Sequence, residues 1–460
     1  MMIHAWDSYV QYASPDDELR PVSARGFNWS TTSLLATPVD SLDTLRLMGL
    51  ESRYQSAKIL VLKELKIDAD IGVSVFETNI RILGGLLSAW EFDDDPRLLD
   101  LAERLAVRLI RALDTPSGMP DRTINLNSGG AEGPPATLAE YGSLQLELQY
   151  LADVTGKPHY AKKVRMVIYE IIQANTTVKG LYPKGRHCSH THLSLIERGK
   201  ETFGIGPNAD SFYEYLLKIW MATGDAKFRT MYDESAEAIN KYLVHHRNGR
   251  TYVPDADLRH DTNTVAKHTT SHHLACFAGG MFATGALTRR EDNWEQFFQL
   301  GKQITQTCWE GYEKTATGLG PEQVGTAFNT DSDGRYMLRP ETIESVFYMW
   351  RLTREPIYRS MGRVFLTSLN KHCRTDTGFS GLRSVSTLPA SLDDVQPSFF
   401  LAETLKYLYL LFADDDTIPL EAYVFNTEAH PLSVRGWGRR RGIPRGDVDL
   451  GVGRSAGEEL

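Results

Sequence analysis

Cysteine is scarce in this chain, and basic residues are fewer than acidic ones. Its 460 residues include 4 cysteines, none of them in a CxxC pair, so neither a disulfide scaffold nor a zinc site of the usual spacing is expected. Lysine and arginine number 50 against 59 aspartate and glutamate, which leaves a net charge of −9. This balance disfavours nucleic acid as a partner, because phosphate binding requires a basic surface.

Long apolar runs are absent as well. No stretch of about 18 apolar residues occurs, so no membrane span is expected in this chain. Residues 1–9 have neither the basic start nor the apolar stretch of a signal peptide, and we expect no targeting segment in the sequence. Strict alternation of apolar and polar residues is almost missing too, which argues against extended β-sheets.

What the chain does contain is a repeat. Seven segments share one plan, an acidic or polar residue followed by an apolar helix, and their marker residues are Asp43, Glu77, Glu140, Asp210, His273, Glu341 and Glu403. The steps between successive markers are 34, 63, 70, 63, 68 and 62 residues. A spacing of 62–70 residues is long enough for two helices of about 12–18 residues and two loops.

The stretches between these segments also have helical spacing but carry more charge, as in residues 96–113 and 158–174. The repeat segments are apolar nearly all round, so we interpret them as inner helices enclosed by charged outer helices. Two arrangements fit this pattern, a closed ring of helical hairpins and an open solenoid. We favour the ring, because it brings the polar markers together at one mouth instead of spreading them along a surface.

A closed ring would gather many carboxylates in one cavity, and the candidates are Asp43, Glu77, Glu140, Asp210, Glu214, Glu341, Glu344 and Glu403. Clustered buried carboxylates repel each other and lose solvation. A hard divalent cation such as calcium could compensate them, as could Arg81, Arg339 and Lys406. Taken singly, each carboxylate is more simply a helix cap or half of an i,i+4 ion pair. Their regular recurrence favours the shared cavity.

Aromatic residues accompany these carboxylates and suit a sugar-binding cavity, since aromatic faces cover the apolar faces of sugars; they are Phe76, Phe212, Tyr213, Phe399 and Phe400. Carboxylates accept hydrogen bonds from sugar hydroxyls. Two carboxyl groups in different environments could then divide the acid and base roles of glycoside hydrolysis.

Five motifs are long and specific: FETNIRILGGLLSAW, DSFYEYLLK, LRPETIES, SFFLAETLKYLYLLF and FNTEAHPL. Through them the sequence resembles glycoside hydrolase family 47, the class I α-1,2-mannosidases, over nearly its whole length. The resemblance implies an all-α (α/α)7 barrel as a single catalytic domain over residues 1–432, with one bound calcium ion. It also implies inverting hydrolysis of terminal α-1,2-linked mannose from high-mannose N-glycans. Residues 433–460 are Gly/Arg-rich and are expected to form a disordered tail.

The resemblance implies roles for individual residues. Glu77 corresponds to the general acid, acting through a water molecule, and Glu341 to the general base. Asp210 corresponds to a third essential carboxylate that is sometimes assigned as the acid instead. Thr427 corresponds to the only direct protein ligand of the calcium ion, through its hydroxyl and carbonyl oxygens. The carboxylates that would hold the water ligands of the ion are Glu344, Glu403 and Glu428.

Further residues are implied to contact the substrate. Those around the cleaved mannose are Arg81, Arg339, His273 and Phe399, with Phe399 stacked under the sugar ring. Glu140 belongs to the same substrate-binding set. Asn208 stands where an arginine marks enzymes that remove one specific mannose, so broader trimming is implied for this chain.

From composition alone, Cys276 and Cys308 could be either two buried free thiols or a disulfide-bonded pair. The resemblance implies a disulfide between them, and with it an oxidising compartment of the secretory pathway, the ER or Golgi lumen or the cell exterior. Cys188 and Cys373 are expected to be buried thiols. A monomer is expected. The alternative function is that of a glycan-binding ER quality-control protein, like the degradation-enhancing mannosidase-like proteins, with little turnover.

Overall fold

A computed structural model describes residues 1–132, 136–174, 176–185, 187–189, 192–194, 200–259, 264–289, 293–325 and 333–434. Ser433 and Val434, which the sequence placed in the tail, are part of the described chain, and Ser433 ends its last strand. The rest of the predicted tail, residues 435–460, lies outside the described residues.

Helices make up most of the described chain. The α-helical segments are α1 (Met2–Tyr12), α2 (Ala36–Leu47), α3 (Glu51–Glu64), α4 (Val75–Glu77), α5 (Gly84–Asp93), α6 (Pro96–Leu109), α7 (Leu138–Gly142), α8 (Gln145–Thr155), α9 (His159–Gln173), α10 (Asp210–Thr223), α11 (Ala226–Tyr242), α12 (Ala278–Thr288), α13 (Trp294–Glu313), α14 (Glu341–Thr353), α15 (Pro356–His372) and α16 (Leu405–Phe412). Two π-helical segments, Thr78–Leu83 and Phe400–Thr404, run directly into α5 and α16. A 3-10 segment, His273–Phe277, runs into α12 in the same way.

These helices form seven pairs arranged in two layers. The inner layer consists of α2, α4–α5, α7–α8, α10, α12, α14 and α16, and the outer layer of α3, α6, α9, α11, α13, α15 and α1. Each inner helix contacts the next one along the chain, and the π-helical start of α16 returns to contact α2. This last contact closes the ring, which excludes the open solenoid and confirms the predicted all-α (α/α)7 barrel.

The two layers differ in sequence for a physical reason. The outer helix α6 begins at Pro96 after Asp95, whose side chain accepts a hydrogen bond from the Arg97 N–H, and it buries only one face. The inner helix α12 is buried on all sides and contains Gly279 and Gly280. A Cβ atom at Gly279 would lie 2.2 Å from the hydroxyl oxygen of Thr305 on α13. Small residues therefore allow an inner helix to pack closely between its neighbours.

Strands are short, and they are β1 (Glu18–Arg20), β2 (Arg25–Phe27), β3 (Gly72–Ser74), β4 (Thr123–Asn125), β5 (Ala131–Glu132), β6 (His187–Ser189), β7 (His192–Ser194), β8 (Lys200–Phe203), β9 (His245–Arg247), β10 (Arg250–Tyr252), β11 (Ala256–Arg259), β12 (Thr264–Lys267), β13 (Thr270–His272), β14 (Gln323–Gly325), β15 (Arg374–Thr375), β16 (Gly378–Phe379), β17 (Tyr423–Phe425) and β18 (Pro431–Ser433). They pair antiparallel into sheets of two strands, apart from the three-stranded sheets β3-β4-β5 and β8-β11-β12. All except β17 and β18 lie in connections that lead from an outer helix to the start of an inner helix. These longer loops therefore collect at the end of the ring where the inner helices begin.

The last hairpin, β17–β18, occupies the inside of the ring. It follows the end of α16, and its strands contact the inner helices α10 and α5. The hairpin therefore enters the lumen from the end where the inner helices finish, and its turn points toward the end where they begin.

Candidate active site

The starts of the inner helices surround a cavity of about 330 Å³. Its lining includes most of the catalytic, metal-binding and substrate-binding residues predicted from the sequence, namely Phe76, Glu77, Arg81, Glu140, Asn208, Asp210, Arg339, Glu341, Glu344, Phe399, Glu403, Thr427 and Glu428. His273 does not line it. Placing the aromatic residues Phe212, Tyr213 and Phe400 in the cavity was wrong, because these side chains are fully buried in the core. Segments separated by up to several hundred residues thus meet at one mouth of the ring, as the repeat predicted.

The turn between β17 and β18 forms one wall of this cavity and carries Thr427 and Glu428. Asn426 shapes the turn, because its side-chain oxygen accepts hydrogen bonds from the backbone N–H groups of Glu428 at 3.0 Å and His430 at 2.8 Å. The Asn426 side-chain nitrogen donates to the buried carboxylate of Glu147 at 2.8 Å. The turn is therefore held both by its own side chain and by the inner helix α8.

A buried ion cluster lies behind this turn. The ammonium of Lys406 is 2.9 Å from Asp43 and donates to the carbonyl of Ala429 at 2.6 Å. His430 contacts Asp43 at 2.8 Å and Asp40 at 3.2 Å. Burial alone would raise the pKa of Asp43, but the charges of Lys406 and His430 lower it to about 2. Asp43 does not line the cavity, so placing it among the cavity carboxylates was wrong: it lies well inside α2 and not at its start.

Glu341, the predicted base, is the first residue of α14. Its carboxylate is 2.7 Å from Nδ1 of His273, and Nε2 of His273 is 2.6 Å from the hydroxyl of Tyr312. Burial would raise the pKa of Glu341, yet the His273 hydrogen bond and the charges of His273 and Arg339 hold it below its usual value. His273 is buried behind Glu341 and does not line the cavity. Its contact with the cleaved mannose stays a prediction.

Asp210 is the first residue of α10, and its pKa is shifted in the opposite direction to that of Glu341. Its carboxyl accepts one hydrogen bond from the backbone N–H of Ser211 at 2.9 Å. Burial, together with repulsion from Glu214 and Glu341, raises the pKa of Asp210 to about 7. Asp210 and Glu341 therefore line one cavity with different proton affinities, which is the division that acid and base roles require.

Three further carboxyl groups of the cavity also hold protons more tightly than usual. Burial and repulsion from Glu214 raise the pKa of Glu344 to about 8. Burial and repulsion from Glu428 raise the pKa of Glu403 well above its usual range. Burial likewise raises the pKa of Glu428, although the guanidinium of Arg81 opposes this shift. The cavity thus holds more acidic groups than the positively charged side chains around it can neutralise.

Two arginines flank the aromatic ring of Phe399. The guanidinium carbons of Arg81 and Arg339 each lie 5.8 Å from the centre of this ring. Arg81 donates to Glu77 at 2.8 Å, and Arg339 donates to Glu322 at 2.9 Å. Phe399 therefore presents an aromatic face between two oriented guanidinium groups, an arrangement suited to a polyhydroxylated ring.

The region around Thr427 fits a hard divalent cation. Within the described ranges, the Thr427 hydroxyl makes no hydrogen bond, and its backbone N–H donates to the Tyr215 hydroxyl at 3.3 Å. No group of three His, Cys, Asp or Glu side chains among the same residues is arranged to hold a metal ion directly. An ion at this position would thus use the oxygens of Thr427 and water molecules, and the acidic surroundings supply the charge that calcium requires.

The rim of the cavity is formed in part by α7. Glu140 in this helix accepts hydrogen bonds from Nε of Arg122 and from the backbone N–H of Thr137, each at 2.7 Å. Asn208 has a positive φ of 74°, and its carbonyl accepts a hydrogen bond from the N–H of Ala139 at 2.9 Å. The loop that carries Asn208 is thereby tied to the start of α7.

Three residues of the site were missed from the sequence. Arg122 and Glu322 lie in loops just before β4 and β14, outside the repeat from which the other residues were identified. Tyr312 lies near the end of the outer helix α13, where a buried aromatic residue has the same appearance as any core residue. No sequence signal distinguishes these three without the fold.

Cys276 and Cys308 form a disulfide that joins the 3-10 segment before α12 to α13. The bridge thereby ties the segment that begins with His273 to the outer layer. Cys373 is a buried free thiol, as expected. The side chain of Cys188 lies outside the described residues. Among the helices that the structure describes, none has the length and apolar character needed to cross a bilayer.

The sequence model of glycosyl hydrolase family 47 matches residues 1–434 of this chain. Mannosyl-oligosaccharide α-1,2-mannosidase IA of Drosophila melanogaster is 43% identical over 455 residues, covering 95% of this chain and 66% of the relative. Mannosyl-oligosaccharide 1,2-α-mannosidase IB of Homo sapiens is 40% identical over 452 residues, covering 94% of this chain and 69% of the relative. The chain thus spans about two thirds of the length of these relatives.

A solved structure agrees with these similarities. The α-1,2-mannosidase from Trichoderma reesei superposes with a TM-score of 0.85 at 29% sequence identity, over 94% of this chain and 97% of that one. The family match, the identities near 40% and the shared ring of helices lead to one conclusion. This chain belongs to glycosyl hydrolase family 47, a family of glycosidases.

Proposed function

We propose that this protein hydrolyses terminal α-1,2-linked mannose from high-mannose N-glycans, with inversion at the anomeric carbon. The observation that carries the proposal is the pairing of Glu341, whose pKa is held low, with Asp210, whose pKa is raised to about 7, in one cavity. The relatives named as mannosyl-oligosaccharide α-1,2-mannosidases support the choice of linkage and substrate.

In this mechanism Glu341 accepts a proton from a water molecule whose oxygen attacks the anomeric carbon. His273 keeps the Glu341 carboxylate ionised and oriented through their hydrogen bond at 2.7 Å. The bond to the leaving sugar breaks as its oxygen receives a proton. An inverting enzyme separates its acid and base by about 6.5–9.5 Å so that the water fits between substrate and base.

We propose that Asp210 donates this proton to the oxygen of the leaving sugar. Its pKa, raised to about 7, leaves about half of the Asp210 carboxyl groups protonated at neutral pH. Glu77, the alternative donor through a water molecule, is ion-paired with Arg81, and its side chain is 44% exposed. Phe399 would stack against the sugar ring, while Arg81 and Arg339 would orient its hydroxyls.

Calcium is the second part of the proposal. Thr427 would hold the ion, and Glu344, Glu403 and Glu428 would hold its water ligands. When bound, the ion supplies positive charge that binds sugar hydroxyls and favours a distorted ring. Thr427→Ala should weaken calcium affinity about tenfold or more, because one protein ligand is lost. Unaltered calcium affinity by calorimetry would refute the ligand assignment.

A single assay tests the activity. The protein is incubated with a nine-mannose N-glycan, with and without a calcium chelator, and the released sugar is followed by NMR. We expect β-mannose as the first product, and the chelator should abolish its release. Release of α-mannose would overturn inversion. Binding of the glycan without release would support the alternative of a glycan-binding quality-control protein.

The base assignment is tested with matched variants. Glu341→Gln should lower kcat by about 10²–10⁴-fold, the usual contribution of a general base, while glycan binding persists. Glu295→Gln changes an exposed glutamate on α13 in the same way and should leave kcat unchanged. Unchanged turnover in Glu341→Gln would exclude this residue as the base.

We also propose that the protein works in the secretory pathway and trims more than one mannose. The Cys276–Cys308 disulfide supports an oxidising compartment. Removal of more than one mannose is supported by residue 208, which is asparagine and not the arginine that marks enzymes removing one specific mannose. The sequence Asn28-Trp29-Ser30 is an N-glycosylation acceptor motif. It adds no support, because the Asn28 side chain donates to Asp16 and accepts from the Asp17 N–H. Alkylation of free thiols in intact cells, followed by peptide mapping, should recover Cys276 and Cys308 as a disulfide. Alkylated Cys276 would contradict this location.

A further inference from the structure

We propose that Arg122 contacts the glycan beyond the cleaved mannose and determines which branches this protein prefers. This inference rests on the proposed function, because it assigns a role to the rim of the same cavity. The ligand chemistry is that of vicinal hydroxyl groups on an oligosaccharide, which a guanidinium can bind with two parallel hydrogen bonds.

The backbone fixes Arg122 close to the reacting groups. Its carbonyl accepts a hydrogen bond from the N–H of Val75 at 3.0 Å, two residues before Glu77. The next residue begins β4, which pairs with β3 in register, so that Thr123 faces Ser74. Arg122 therefore projects from a sheet that is anchored to the helix start bearing Glu77.

Its side chain is held at one end only. Nε of Arg122 donates to Glu140 at 2.7 Å. The other oxygen of Glu140 accepts from the Thr137 N–H at 2.7 Å, so both carboxylate oxygens are engaged by the protein. Glu140 thus acts through Arg122 and is a positioning residue in this proposal.

The two terminal nitrogens of Arg122 remain available. Neither makes a hydrogen bond to another residue of the described ranges, and the side chain both lines the cavity and is 41% exposed. By comparison, the side chain of Glu341 is 12% exposed and that of Arg339 is 20% exposed. Arg122 therefore lies nearer to solvent than Glu341 and Arg339, where sugars beyond the cleaved one must pass.

If the Arg122–Glu140 ion pair only stabilised the fold, removing it would have a different effect. An exposed arginine–carboxylate pair contributes about 0–1 kcal/mol to stability, and it would leave substrate preference unchanged. Product distribution therefore separates a glycan contact from an ion pair that only fastens α7.

The experiment compares Arg122→Ala with Arg97→Ala, which removes an exposed arginine from a remote ion pair with Asp95. Each protein is assayed on the nine-mannose glycan and on the disaccharide α-1,2-mannobiose, and the eight-mannose isomers are separated by chromatography. Arg122→Ala should raise KM for the large glycan about 10–150-fold, the loss of a charge-assisted hydrogen bond. It should also change the ratio of eight-mannose isomers, with a smaller effect on the disaccharide.

Glu140→Gln should shift the isomer ratio in the same direction, because the amide has no negative charge and keeps one acceptor oxygen for two donors, Nε of Arg122 and the Thr137 N–H. An unchanged isomer ratio and KM in Arg122→Ala, or an equal loss on both substrates, would overturn the inference. If the wild-type protein cleaves neither substrate, the proposed function fails by itself. Arg122 is then tested by calorimetric binding of the nine-mannose glycan, where an unchanged Kd in Arg122→Ala overturns the contact.

Discussion

At the scale of single residues, chemically similar carboxyl groups acquire different proton affinities from their immediate neighbours. Glu341 has a histidine hydrogen bond and a nearby arginine, which together outweigh its burial. Asp210 is buried beside two other carboxylates, and its backbone hydrogen bond and the charge of Lys184 do not offset them. The difference arises from contacts between separate helices, and neither residue type would show it in isolation.

The pH dependence of activity follows from these two residues. Because the pKa of Glu341 is below its usual value, this proposed base is ionised throughout the neutral range. Because the pKa of Asp210 is about 7, this proposed donor loses its proton as pH rises through neutrality. We therefore expect kcat/KM to fall above about pH 7, one limb of a bell-shaped profile.

Asp210→Asn tests this assignment. The variant cannot donate a proton from residue 210, so the residual activity should lose its alkaline limb near neutral pH. Measurement of kcat/KM across the pH range, with Glu295→Gln as the control, gives the comparison. An alkaline limb that persists unchanged in Asp210→Asn would exclude Asp210 as the proton donor.

At the scale of elements, the turn between β17 and β18 depends on one buried carboxylate. Glu147 in α8 accepts hydrogen bonds from Asn79 at 2.8 Å, from Tyr215 at 2.6 Å and from Asn426 at 2.8 Å. Tyr215 in turn accepts from the backbone N–H of Thr427. Three inner-layer segments and the turn are thus joined at this side chain.

Glu147→Ala should destabilise the fold by about 3–5 kcal/mol, because it leaves buried donors without an acceptor. Glu147→Gln keeps one acceptor oxygen and should cost less. Both variants should bind calcium more weakly, since the turn that carries Thr427 loses its support. Glu64→Gln, an exposed carboxylate on α3, is the control. Calcium affinity that stays the same while thermal stability falls would contradict the link between Glu147 and the proposed metal site in the turn that carries Thr427.

At the scale of the whole molecule, the ring concentrates acidic groups from several helices in one cavity. Folding raises the pKa of Asp210 to about 7 and that of Glu344 to about 8. The folded state therefore binds protons that the unfolded chain has released. The stability that these protons contribute is complete below about pH 4 and is lost as pH rises through the folded pKa values.

We expect the calcium-free protein to melt about 2–4 °C lower at about pH 8.5 than at about pH 6.5. Asp43, whose pKa is about 2, is ionised throughout this range and does not contribute. Added calcium should reduce or reverse the difference, because it binds the deprotonated cavity. Calorimetric melting with chelator and with calcium at both pH values tests this. A calcium-free protein that is more stable at the higher pH would contradict the excess of acidic charge.

The repeat and the motifs were enough to predict the closed ring, the residues at its mouth and the cysteines that pair. Helical periodicity is a local property of the chain, and a marker recurring every sixty to seventy residues requires only that successive hairpins pack alike. Only the tertiary structure decided that Asp43 lies in a buried cluster, that His273 stands behind Glu341, and that Arg122 reaches the rim. Whether a residue is buried, and which charges lie near it, depend on how segments distant in sequence pack together. No local sequence pattern determines that packing.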